Sequence, residues 1–223
     1  MGISDPKMIG IFGGTFDPIH YGHLRSALEV KEIFGLAEVR LIPSAQPPHR
    51  EQPAATALMR LHMLELAIKN QPGLMVDTRE LNRNGASYMV DTLKSLRQEF
   101  KNEPLLLFIG SDAFNHLKTW YQWQHLFDFA HIVVMTRPGF EIQNPDEFFK
   151  IRLANEITEL AHNLAGKLYF QQVTQLDISA TAIRNMIAKQ QNPGFLLPDT
   201  VIAYIRQNRL YQRHKSHHLN QEF

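Results

Sequence analysis

The stretch GGTFDPIHYGH, residues 13–23, follows the apolar run Met8-Ile9-Gly10-Ile11-Phe12 and precedes a segment of helical periodicity. A short apolar strand, a pair of glycines and then a helix make a strand–turn–helix unit, the building block of an α/β sheet. Gly13 and Gly14 let the backbone turn tightly and approach a ligand closely. Asp17-Pro18 has the form of an N-cap with proline at the first helical position, so the helix is expected to start there. A helix starting here aims free N–H groups and a positive dipole end at the turn, which favours anions. His20 and His23 are three residues apart and share a helical face, with Gly22 leaving the space between them open. Two imidazoles so placed can donate hydrogen bonds to phosphate oxygens.

Working outward, Leu24, Ala27, Leu28 and Phe34 fall on one face of a helix expected over residues 24–34, with Gly35 as its stop. Strands are expected at residues 8–12, 39–42, 74–76, 105–109, 131–135 and 168–173. Further helices are expected at 57–70, 88–100, 147–164, 181–189 and 199–207. The alternation predicts an α/β fold, a Rossmann-like doubly wound parallel sheet in a single domain with a small helical C-terminal part. The domain is expected to span residues 1–212, leaving 213–223 as a polar tail with His214, His217 and His218. Ligands of such sheets sit at the carboxyl ends of the strands, where GGTFDPIHYGH falls.

Composition narrows the function classes. Of 223 residues, 44% are hydrophobic and 20% charged, as a packed core requires. The net charge is +1, so no global field points to nucleic acid or an anionic membrane, and an anion site must be local. The chain has no cysteine, which excludes disulfides, thiolate zinc sites and thiol nucleophiles and fits a cytoplasmic setting. No signal-peptide pattern is present, and the longest apolar run, around residues 105–109, is too short to span a bilayer.

The opening stretch is not a Walker A loop, because no Gly-Lys-Ser/Thr follows the glycines, and its spacing fails the GxGxxG fingerprint. The histidines lack the glutamate of HExxH and a third zinc ligand. Alone, they also read as two surface histidines after a tight turn. A second helix start lies at Ile178-Ser179-Ala180-Thr181-Ala182-Ile183-Arg184. Ser179 or Thr181 can cap that helix, and Arg184 adds a planar fork suited to phosphate. Alone, this too reads as an ordinary capped helix.

Together and in this order, the two motifs resemble the paired signatures of the HxGH nucleotidyltransferase superfamily. Pro43-Ser44-Ala45-Gln46-Pro47-Pro48-His49-Arg50 resembles the IPxxxPPH(K/R) loop of bacterial nicotinate-nucleotide adenylyltransferases within it. Ala86-Ser87-Tyr88, Ile109-Gly110-Ser111-Asp112, Thr119-Trp120-Tyr121 and Thr136-Arg137-Pro138-Gly139 extend the resemblance over nearly the whole chain. Met89 stands where the family often has threonine, and Ser44 where it often has asparagine.

The resemblance implies adenylyl transfer from ATP to nicotinate mononucleotide, with magnesium (Mg2+) carried on the ATP and no protein metal ligand. It implies that His20, His23 and Arg184 act on the phosphates. Gly14, Thr15, Phe16, Gly110, Asp112, Arg137, Ile178, Ser179 and Thr181 would hold ATP. Ser44, His49, Arg50, Ser87, Tyr88, Trp120 and Tyr121 would hold the mononucleotide, with Trp120 as a flat face for its ring. The alternatives are a superfamily member with another acceptor and a non-catalytic nucleotide-binding regulator. Neither nucleic acid nor a membrane is expected as a partner.

Overall fold

The computed structural model describes residues 7–46, 52–137, 146–174 and 176–212. His49, Arg50 and the stretch 213–223 lie outside the described residues. Six parallel strands form one sheet: β1 (Ile9–Gly14), β2 (Glu38–Pro43), β3 (Leu74–Val76), β4 (Leu105–Gly110), β5 (His131–Thr136) and β6 (Leu168–Gln172). Their order is β3-β2-β1-β4-β5-β6, so the chain reverses its direction of travel across the sheet between β1 and β4. That reversal opens a crevice at the carboxyl ends of β1 and β4, the place where doubly wound sheets bind ligands.

Alternation along the strands builds two cores. Phe12, Val39, Leu41, Leu106, Phe108 and Val133 face one layer. It is covered by α1 (Tyr21–Ile33), α2 (Ala57–Ile68), α8 (Ala180–Ala188) and α9 (Asp199–Gln207). Ile9, Ile11, Ile42, Leu105, Leu107 and Val134 face the other, under α3 (Met89–Glu99) and α5 (Leu126–Phe129). Each leucine buried this way contributes roughly 1.5–3 kcal/mol. Gly10 is needed for this packing: a Cβ there would come within 2.8 Å of Leu36 and 3.1 Å of Phe108.

Two expectations fail. Asp17-Pro18 does not start α1; the helix begins at Tyr21 with His20 as its N-cap residue. The Asp17 carboxylate is buried and accepts instead from the Ala54 and Ala55 N–H groups and the Tyr211 hydroxyl. The helix expected over 147–164 is also absent. Two single turns, α6 (Glu147–Lys150) and α7 (Thr158–Ala161), replace it. Between them the backbone pairs with β6: Leu168 N–H donates to the Arg152 carbonyl and Ala154 N–H to the Leu168 carbonyl. The edge of the sheet captures the chain and outcompetes helical bonding.

A further short helix, α4 (Ser111–Asn115), directly follows β4. No described helix is long and apolar enough to cross a membrane.

Candidate active site

β1 runs through both glycines, because Gly13 and Gly14 pair with Ile42 and Pro43 of β2. The chain then turns through Phe16, whose φ of +50° is left-handed. The Phe16 ring is buried, 2% exposed, and packs on Phe12, so Phe16 can offer a ligand only its main chain. The edge of His23 meets the Phe16 ring at 5.2 Å between centroids. His23 in turn stacks on His20 at 3.7 Å. The histidines therefore lie face to face although His20 stands outside the helix.

His20 is 5% exposed, its Nδ1 has no hydrogen-bond partner, and burial lowers its pKa from 6.5 to about 4. It is neutral at pH 7 and keeps one ring N–H to donate. Burial also lowers the pKa of His131 in β5, against the bond that its Nε2 donates to the Asn163 carbonyl, and its Nδ1 accepts from Lys167 N–H. In both residues the unfolded state takes up the proton first. Stability is therefore complete above about pH 6.5 and is lost as pH falls toward 4. For His20 alone the shift corresponds to a loss on the order of 3 kcal/mol. Chemical denaturation between pH 4 and 8 is expected to show a shallower acid limb in His20→Asn than in the parent. Superimposable limbs would contradict it.

The second motif docks on the first. Ser179 caps α8, accepting from Ala182 N–H at 3.1 Å. Arg184 donates to the Asp17 carbonyl at 2.7 Å and to the Thr181 hydroxyl at 3.2 Å. A Cβ on Gly22 would lie 3.0 Å from the His20 ring and 3.5 Å from the Ile178 carbonyl, so glycine keeps this junction tight.

Beside this junction lies a cleft of about 520 Å³ at the ends of β1, β2 and β4. Gly14, Thr15, Ser44, Gly110 and Asp112 line it, as do Ser87, Tyr88, Trp120 and Tyr121. The Ser44 hydroxyl is buried without a hydrogen-bond partner among the described residues. The Tyr88 and Tyr121 rings sit 4.5 Å apart. Ser87 Oγ accepts from the Ala45 and Gln46 N–H groups and so ties the loop after β2 to the start of α3. His20, His23, Arg184, Ser179, Thr181 and Ile178 stand outside the cleft lining, around the adjoining helix starts, and Arg137 lies on the exposed rim after β5.

Sequence reasoning missed three residues. Glu80 lines the cleft, is 3% exposed, and accepts from the Thr92 hydroxyl at 2.7 Å. Burial raises its pKa, opposed by the Thr92 and Ser87 hydrogen bonds. His116 also faces the cleft, its ring held at 2.9 Å from the Asp112 carbonyl. Neither carries a local pattern in the sequence. Arg60 does: it shares a helical face with the buried Met63 and Leu64, an unusual place for a cation. Among the described residues no group of three or more His, Asp or Glu side chains is placed to hold a metal ion.

Comparison with known proteins gives a consistent picture. The Cytidylyltransferase-like family model matches residues 11–186. A probable nicotinate-nucleotide adenylyltransferase of Methylococcus capsulatus is 48% identical over 210 residues, covering 92% of this chain and all of that protein. One from Hahella chejuensis is 47% identical over 208 residues, covering 91% of this chain and 95% of its own. Among solved structures, the Plasmodium falciparum nicotinic acid mononucleotide adenylyltransferase complexed with NaAD superposes with a TM-score of 0.70. It is 19% identical, and the match covers 92% of this chain and 97% of that one.

Proposed function

The chain belongs to the Cytidylyltransferase-like family, among its nicotinate-nucleotide adenylyltransferases, and from that premise we propose how its site works. It is an enzyme that transfers the adenylyl group of ATP to nicotinate mononucleotide, giving nicotinate adenine dinucleotide and pyrophosphate in NAD biosynthesis. The observation that carries the mechanism is the convergence of both motif helices at the carboxyl end of β1, fixed by the bond from Arg184 to the Asp17 carbonyl.

The nucleophile is the 5′-phosphate of the mononucleotide, ionised at pH 7, so the reaction needs no general base. Catalysis comes from alignment and charge stabilisation. The triphosphate lies against the turn after Gly14, with His20 and His23 donating to oxygens that gain charge as the bond to pyrophosphate breaks. Ser179, Thr181 and Arg184 receive the leaving pyrophosphate, beside the main chain of Ile178. Adenosine occupies the crevice over Gly110 and Asp112, with Arg137 at its rim. The acceptor lies by Ser44, Ser87 and the aromatic wall of Tyr88, Trp120 and Tyr121. A magnesium ion carried by the triphosphate would offset its charge, and no side chain of this chain is assigned to hold it. We place the enzyme in the cytoplasm, where a chain free of cysteine is at home.

Arg184→Lys is expected to lower turnover by ~10-fold or more despite the retained charge, because an ammonium cannot serve the Asp17 carbonyl, Thr181 and a phosphate as a planar fork can. Single-turnover rates at saturating ATP check this, and a variant matching the parent would show that the fork is unused. The function itself is tested by pyrophosphate release from ATP with nicotinate mononucleotide against other phosphorylated acceptors. No release with nicotinate mononucleotide would refute it.

A further inference from the structure

Arg60 sits in α2 with its side chain in the protein interior, 1% exposed. Among the described residues its guanidinium makes no hydrogen bond to a carboxylate and spends its donors on main-chain carbonyls. Nη1 donates to the Thr15 carbonyl at 2.7 Å, in the turn after β1. Nη2 donates to the Ser44 carbonyl at 2.7 Å and the Ala45 carbonyl at 3.4 Å, just after β2. Nε donates to the Ala55 carbonyl at 3.3 Å, before α2. Ser44 and Ala55 belong to the two stems on either side of residues 47–51. Asp17 repeats the pattern with opposite polarity, accepting from Ala54 N–H at 2.8 Å and Ala55 N–H at 3.2 Å. One buried fork and one buried carboxylate thus bind both stems to the turn that faces the triphosphate.

A guanidinium so deeply buried carries a large desolvation cost, offset here by its bonds to main-chain carbonyls and by the charge of Asp17. Its geometry offers a reason for its presence. In-line transfer needs two substrates, held by two different loops, at a fixed separation. A planar fork with rigid donor directions fixes such a separation better than a flexible ammonium. We propose that Arg60 is a positioning residue that sets the distance between the ATP-binding turn at Thr15 and the acceptor-binding loop after β2. The inference rests on the functional reading above, and touches no substrate itself.

The test uses Arg60→Lys, which keeps the cation, and Arg60→Met, which keeps much of the volume. Thermal unfolding first establishes that each is folded at the assay temperature. Equilibrium binding of a non-hydrolysable ATP analogue and kcat at saturation of both substrates are then compared with the parent. The expected result is analogue affinity within about 3-fold of the parent and kcat lower by on the order of 10²-fold in either folded variant, since small misplacements at a reacting centre cost that much. A folded Arg60→Lys with kcat within about 3-fold of the parent overturns the proposal. So does a loss of analogue affinity that matches the loss of kcat, or failure of both variants to fold, each of which assigns Arg60 to stability alone. The parent's own rate decides the functional reading, and only the variant-to-parent ratio decides this one.

Discussion

His23→Ala is expected to lower turnover by ~10²–10³-fold while leaving the fold intact, the usual consequence of removing one preorganised donor from a site of developing charge. The effect on rate should exceed the effect on stability because of where the ring sits. His23 lies in the first turn of α1, half-buried, with its face on His20 and its edge toward Phe16. Losing these ring contacts costs about 1 kcal/mol. Losing the donor removes a group already in place when the bond to pyrophosphate breaks, with no reorganisation to perform. Steady-state kinetics of the purified variant, paired with a thermal melt, separate the two effects. Near-normal turnover in a folded His23→Ala protein would remove the residue from the mechanism.

Nicotinate mononucleotide is expected to be preferred to nicotinamide mononucleotide by at least ~10²-fold in kcat/KM. The two acceptors differ by a carboxylate against a carboxamide. Reading a carboxylate needs donors, and the main chain beside the aromatic wall is already partly committed. Ser87 N–H donates to the Gln46 carbonyl, Tyr88 N–H to Ala86 and Trp120 N–H to Leu117. The expected reader is therefore the first turn of α3, where Met89 lines the cleft and the leading N–H groups have no carbonyl a turn earlier within the helix. A carboxylate there accepts from the helix start and meets its positive dipole end. A carboxamide presents an N–H₂ to at least one donor and strands it, at about 1–3 kcal/mol for each group left unpaired. Assays with both mononucleotides and magnesium-ATP decide the matter, and equal efficiency would show that this pocket does not read the acid.

The strands were legible because a buried parallel sheet writes itself as short apolar runs, and residues 105–109 and 132–135 carry nothing else. The two turns proposed to face phosphate stood out in the sequence because glycines, caps and histidines cluster within a few positions of each other. What escaped reading depends on partners far along the chain. Asp17-Pro18 has the local form of a helix start. Its carboxylate is instead claimed by amides 37 and 38 residues away and by a hydroxyl 194 residues away, so the helix starts later, at Tyr21. Residues 147–164 carry helical periodicity, but the open edge of β6 takes their backbone. Glu80 bonds Thr92 of α3, and Arg60 bonds the turn after β1 and the segment after β2, partners that only the finished fold brings near.

The hydrogen bond from the Tyr211 hydroxyl to Asp17, at 2.7 Å, has a consequence for how the protein is made. Synthesis runs from the N-terminus, so the glycine turn and both histidines leave the ribosome long before Tyr211 does. A nascent chain that has completed β6 holds every strand of the sheet. Until Tyr211 emerges, however, Oδ1 of Asp17 has only the Ala55 amide to bond. A turn made early is therefore finished by a residue made 194 positions later, and a message truncated shortly before codon 211 would yield a protein with the six strands of this sheet but an incompletely braced turn.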